Sequence, residues 1–152
     1  MSDSPDDDHV RPDGVSDRTV EALGKLSEAL ETVEEARGHL YAFHRRCGTA
    51  DLALGEAVDL LREAGHAELA DAVETDLVGR NILEGRWSFQ VVEEYDDGYY
   101  AAFKEHERAA RTALVDGRSH LFEAEMKEDR RTHGRRHHEA TPATSGSSQP
   151  RE

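Results

Sequence analysis

The stretch Leu23-Gly-Lys-Leu26-Ser-Glu-Ala-Leu30-Glu-Thr-Val33-Glu-Glu-Ala-Arg37-Gly-His-Leu40-Tyr-Ala-Phe-His44-Arg-Arg-Cys47 decides the fold. Its apolar residues Leu23, Leu26, Leu30, Val33, Leu40 and Cys47 fall at alternating steps of three and four, the period of one helical face. Arg37 and His44 interrupt that heptad-like stripe. A helix of this length must bury the stripe against a partner, from its own chain or from another. Ser16 or Asp17 can open it, Gly48 is the predicted stop, and Thr49 or Asp51 the next start.

Working outward, Leu54, Val58 and Leu61, then Leu69, Val73 and Leu77, predict two shorter amphipathic segments hinged at Gly65-His66. Gly79 to Gly85 reads as a turn. The next stretch, Trp87-Ser-Phe-Gln-Val-Val-Glu-Glu-Tyr95-Asp-Asp-Gly-Tyr-Tyr100, supports two patterns. Trp87, Phe89 and Val91 alternate as a strand would, with Asp97-Gly98 as a hairpin turn. Val92, Tyr95, Tyr99, Ala102, His106, Ala109 and Ala113 keep a helical period through the same residues and past the turn. The longer period predicts a helix over 88–115. A last segment, 119–131, has Leu121, Phe122 and Met126 to bury. The expected fold is all-α, a helical bundle of four or five helices with two long ones.

The two ends differ from this interior. Residues 1–16 hold five aspartates and two prolines with almost nothing apolar, too little to offset the entropy of ordering. Residues 132–152 continue a His/Arg run into Ser, Thr and Pro of linker composition. Both are expected to be disordered, which leaves a helical bundle domain over 17–131.

The chain has 152 residues, with 19 Lys and Arg against 33 Asp and Glu, a net charge of −14. An acidic surface repels phosphate, so nucleic acid is not an expected partner. No apolar run is long enough for a membrane span, and one cysteine excludes a disulfide scaffold. Only Lys25, Lys104 and Lys127 are lysines. Excess carboxylate with few lysines fits a salt-adapted cytoplasm, where short screening lengths relieve self-repulsion. The first residues lack the basic and apolar regions of a secretory signal, so the expected location is cytoplasmic.

No phosphate loop, dinucleotide fingerprint, nucleophile elbow or His-Glu-x-x-His motif occurs. Nine histidines in so acidic a chain raise the question of a metal. His44 and His106 each interrupt an apolar stripe, so both fit hydrogen-bonded core histidines. They also fit ligands converging with Glu94 or Glu105 on a divalent metal. Glu35 with His39, and Asp116 with His120, are four apart and read first as exposed helical ion pairs. Their surroundings, Arg37-Gly-His39-Leu-Tyr41 and Arg118-Ser-His120-Leu-Phe122, suggest a local pseudo-symmetry. Cys47 sits at a packing position, and the run Arg130-Arg-Thr-His-Gly-Arg-Arg-His-His138 reads as a solvated basic tail.

Trp87, Phe89, Tyr95, Tyr99, Tyr100 and Phe103 place six of nine aromatics within one segment. Adjacent residues point ~100° apart on a helix, so Tyr99 and Tyr100 cannot share one buried face. That excess suggests an interface, with core packing or a ligand box as the alternatives.

The stretch from Gly79 to Tyr100 resembles one in a small family of actinobacterial and haloarchaeal proteins. Arg37-Gly-His-Leu-Tyr-Ala-Phe-His44 and Phe122-Glu-Ala-Glu-Met-Lys127 are similar to it as well, so the resemblance covers roughly residues 20–134. It implies a small helical protein and brings no activity with it. The functional expectation is a non-enzymatic, cytoplasmic interaction protein that self-associates, with no cofactor and neither nucleic acid nor membrane as partner. The alternative is a metal-binding bundle built on His44, His106, Glu94 and Glu105.

Overall fold

Ser16 opens the first helix, its Oγ accepting the Thr19 N–H at 3.1 Å and so satisfying one of the donors that a helix start leaves unpaired. In the computed structural model, which describes residues 3–143, helix α1 then runs from Asp17 to Glu63. It does not stop at Gly48. That glycine is exposed, and nothing lies within 4 Å of where its Cβ would be, so neither a turn nor a close approach requires it. Thr49 and Asp51 accordingly open no new helix, and the Thr49 hydroxyl donates back to the Arg45 carbonyl at 3.1 Å.

The continuity follows from the stripe. Leu30, Val33, Arg37, Leu40, His44, Cys47, Asp51, Leu54, Val58 and Leu61 keep the three/four alternation unbroken, and all are buried or half-buried. Burial along one phase outweighs the ~1 kcal/mol that an interior glycine costs relative to alanine. Gly48→Ala is therefore expected to stabilise the protein by about 0.5–1 kcal/mol, measured as a higher denaturation midpoint at unchanged slope.

Helix α1 ends where Gly65 adopts φ +88°, a conformation that costs other residues energy. Helix α2 (Ala67–Asp76) follows, and Arg62 ties the two together through Asp71 and Glu74. The turn region contains a single isolated bridge, Leu83 to Arg86. Helix α3 (Ser88–Tyr95), a turn of π-helix (Asp96–Tyr100) and α4 (Ala101–Val115) then form one continuous helical run. Asp97-Gly98 closes no hairpin and lies inside the π-turn. Helix α5 (Leu121–Arg130) completes the all-α fold.

The chain divides into two compact units. The first comprises the residues up to Ala29 together with those from Glu105 onward. Its core joins Val20 and Leu23 of α1 to Val115 and Leu121, flanked by Val15 and Ala110. Beside this core, Glu107 is buried and accepts from Ser27 Oγ at 3.2 Å and Arg111 Nε at 2.7 Å. The second unit, Leu30–Lys104, buries Val33, Val58, Ala70, Val92 and Tyr100.

Residues 3–16 form a short 3-10 turn at Asp7–His9 and bond to their own unit. Arg11 donates to Glu125 at 2.9 and 3.0 Å, His9 Nδ1 lies 2.9 Å from the Ser119 carbonyl, and Arg118 donates to the Val10 carbonyl. Arg131 is buried and bonds Asp3 and Glu128, while Lys127 Nζ reaches the Ala140 carbonyl. The side chains that make these bonds are mostly arginines. The expected disorder of Met1, Ser2 and 144–152 lies outside the described residues.

Asp116 and His120 do not share a helical face either. They take φ 56° and 54° in the turn between α4 and α5, with Gly117 at φ +77° between them. His120 lies 4.0 Å from Glu123 instead. The likeness of 37–41 to 118–122 therefore has no structural counterpart, since Arg37–Tyr41 is mid-helix and 118–120 is turn.

Candidate interaction surface around a π-helical turn

Three polar residues of α1, each seven from the next, occupy positions of the stripe where a coiled coil would carry apolar side chains. Each has its own partner on the returning chain of the second unit. Arg37 Nε and Nη2 donate to the two Asp96 oxygens at 2.7 and 3.0 Å. His44 Nδ1 lies 2.7 Å from Ser88 Oγ, and that oxygen lies 3.3 Å from the His44 carbonyl. Asp51 accepts the Gly79 N–H at 2.8 Å. Partners 96, 88 and 79 descend as 37, 44 and 51 ascend, so the two segments run antiparallel in one register. A polar residue at such a position specifies register because a slip would strand it without a partner.

The π-turn is built around this first pair. Its extra residue lets Asp96 face Arg37 while Tyr100, which is buried, donates its hydroxyl to Glu34 at 2.6 Å. The Arg37 guanidinium lies 4.9 Å from the Tyr41 ring centre and 4.7 Å from that of Tyr100, and Lys104 Nζ lies 4.4 Å from the latter. Cations over aromatic faces are attracted by the ring quadrupole. The hydrogen bond from Arg37 holds the Asp96 carboxyl below the usual carboxylate range. The bond to Glu34 raises the Tyr100 phenol above its ordinary value, because the phenolate would lose the bond and face a carboxylate.

These two shifts set opposite pH limits. Asp96 is lowered on folding, so its contribution is complete above its unfolded value of about 4 and is lost as pH falls through the folded value. Tyr100 is raised, so its contribution is complete below about 10 and is lost as pH rises through the folded value. Glu105 and Glu128, lowered by Arg108 and Arg131, add to the acid limb. Denaturation midpoints across pH should therefore fall at both ends. Asp96→Asn should flatten part of the acid limb and leave the alkaline limb in place.

The six aromatics separate as the helical period requires. Tyr100 is buried, Tyr95 and Phe103 are half-buried, and Trp87, Phe89 and Tyr99 are exposed at 45%, 46% and 59%. Tyr95, Tyr99 and Phe103 form a ladder with ring centres 5.8 and 5.7 Å apart, and Tyr95 also stacks on Tyr100 at 6.4 Å. Trp87 is positioned at the start of α3 by two bonds. Its N–H donates to Gln90 Oε1 at 2.8 Å, and its indole N–H donates to the Gly79 carbonyl at 3.0 Å. The indole thus keeps one edge on the turn and leaves a face open. The arrangement can stack planar or cationic groups. A cavity of about 380 Å³ lies in the first unit, lined by Pro5, His9, His120 and Lys127 among others and by none of the six aromatics.

The expected metal ligands are engaged elsewhere. His44 is held by Ser88, Glu94 pairs with Arg86, and Glu105 pairs with Arg108 at 2.6 Å. His106 is exposed on α4. Among the described residues of either unit taken alone, no three histidine, cysteine or carboxylate donors converge at metal-binding spacing. Glu35 and His39 are an exposed pair 4.0 Å apart, as the helical spacing predicts. His66 precedes α2 and does not share a helix with Glu63. Cys47 is half-buried on the stripe.

Reasoning from sequence missed Glu34, Tyr41, Asp96 and Lys104. The available signal was the seven-residue recurrence of Arg37, His44 and Asp51, polar side chains spaced as if they belonged to the stripe. Among the described residues, no helix is long and apolar enough to cross a membrane. The chain matches no protein-family model, no curated protein and no solved structure.

Proposed function

We propose that the chain is a non-enzymatic, cytoplasmic helical interaction protein that self-associates through the aromatic surface of residues 87–103. The observation that carries this reading is the joint exposure of Trp87, Phe89 and Tyr99. A scattered exposed apolar residue is ordinary, but Trp and Tyr are the residue types that dominate binding energy at interfaces. The scaffold behind them is pinned by the Arg37, His44 and Asp51 bonds, so little ordering remains to be done on association.

Trp87 is the sole tryptophan, so its emission reports directly on this surface. Sedimentation of the full chain should show a concentration-dependent rise in mass, accompanied by a blue shift of Trp87 emission. Tyr99→Ala should weaken the association by about tenfold or more, as expected for an interface anchor. A protein that stays monomeric at all concentrations, with unchanged emission, overturns the reading.

A further inference from the structure

The acidic aromatic surface and the basic run of the same chain are chemically complementary. Building on the self-association above, we propose that segment 130–138 of one copy docks on residues 84–99 of a second copy. Arginines of the segment would stack on Trp87 and Tyr99 and pair with the carboxylates around them.

The acceptor side carries uncompensated charge. Residues 30–104 hold 7 basic and 16 acidic side chains, a net of −9. Four of those bases are already committed, Arg37 to Asp96, Arg62 to Asp71 and Glu74, Arg80 to Asp76 and Arg86 to Glu94. Glu84, Glu93 and Asp97 are exposed in the same stretch as Trp87, Phe89 and Tyr99, and none of their carboxylates has a cationic partner among the described residues.

The donor side is the mirror case. Arg130, Arg135 and Arg136 are exposed and have no carboxylate partner among the described residues, whereas Arg131 is taken by Asp3 and Glu128. The segment is held in a compact turn. Arg135 N–H donates to the Thr132 carbonyl at 3.3 Å, His138 N–H to the Arg135 carbonyl at 3.0 Å, and Thr132 N–H to His138 Nδ1 at 3.1 Å. The turn limits the ordering that binding must supply. Guanidinium suits the acceptor because it stacks on aromatic faces and bonds carboxylates with both arms.

A symmetric contact of aromatic surface on aromatic surface would instead bring two strongly acidic faces together. At low ionic strength that costs free energy, whereas the basic-on-acidic contact gains it. The proposed contact is head-to-tail, with different patches on the two copies, so the pair keeps one donor and one acceptor free for further copies. Salt must weaken it, since the screening length falls from ~10 Å at 0.1 M to ~3 Å at 1 M.

The test is sedimentation velocity of the full chain at about 0.1 M and about 1 M NaCl, with Trp87 emission followed in parallel. The association constant should fall by about tenfold or more at the higher salt. Arg135→Glu/Arg136→Glu and Glu93→Arg/Asp97→Arg should each be monomeric alone, and circular dichroism should show both folded, because all four side chains are exposed. Mixed one to one, the two variants should restore association, since the unaltered acceptor of the first meets the unaltered donor of the second. Wild-type association that strengthens with salt, or that survives Arg135→Glu/Arg136→Glu unchanged, overturns the docking proposal and leaves self-association standing. A wild-type chain that is monomeric throughout overturns both.

Discussion

Leu121→Ala is expected to lower the stability of the protein by about 2–5 kcal/mol. Leu121 is 5% exposed at the first position of α5 and packs with Val20, Leu23 and Val115, the four residues that make the buried core of the first unit. A core this small has no spare side chain to refill the space. The loss therefore combines transfer free energy with an unrelieved cavity, and it is a large fraction of the ~5–15 kcal/mol that holds a typical domain together. Denaturant unfolding should show a lower midpoint with unchanged slope. Leu114→Ala, at a site 51% exposed near the end of α4, should change stability by no more than about 0.5 kcal/mol. Because α5 carries Glu125, Glu128 and the anchor for the N-terminal segment, Leu121→Ala should also speed proteolysis within residues 3–16. Equal effects of the two leucine substitutions would place the core elsewhere.

Leu23, Leu121 and the long helices were readable from the sequence because burial imposes a period, whereas Val20 and Val115 were not singled out. The stripe from Leu23 to Cys47 predicted α1, and the positions from Val92 to Ala113 predicted one helical run through a segment that also alternates like a strand. Tyr99 and Tyr100 separated into exposed and buried as their angular spacing requires. Errors arose where period and local propensity disagreed, or where charge replaced apolar contact. Gly48 resembles a stop, yet a stripe that continues in phase to Leu61 leaves the helix no reason to end there. Arg37 and His44 looked like interruptions because a one-dimensional pattern cannot show that Asp96 and Ser88 wait opposite them. Arg11, Arg118 and Arg131 make bonds with residues 3–16 and their surroundings through carboxylates and carbonyls that composition does not count. The exposed aromatic surface was legible as an excess over what one helical face can bury.

Removing Glu107 tests how much of the first unit depends on polar pairing beside that core. Its side chain is 8% exposed, and one oxygen accepts from both Ser27 and Arg111, so it joins α1 to α4 while satisfying the guanidinium. Glu107→Ala strands a half-buried arginine whose remaining bond is to the Gly117 carbonyl at 2.9 Å. Breaking a fully buried pair costs about 3–5 kcal/mol, and the 23% exposure of Arg111 lets water recover part, so about 2–4 kcal/mol is expected. Glu107→Gln keeps the acceptor and the volume and should lose about 1 kcal/mol, the share that depends on charge. The double variant Glu107→Leu/Arg111→Leu removes both ions, and it should be closer to wild type than Glu107→Ala, because the penalty lies in the orphaned partner and not in the absent pair. Equilibrium unfolding of the three variants separates these contributions. If the double variant is the least stable of the set, the pair is net stabilising and the unit relies on it as it relies on Leu121. If it recovers wild-type stability, Glu107 and Arg111 serve to align Ser27 with α4, as Arg37, His44 and Asp51 align the returning chain in the second unit.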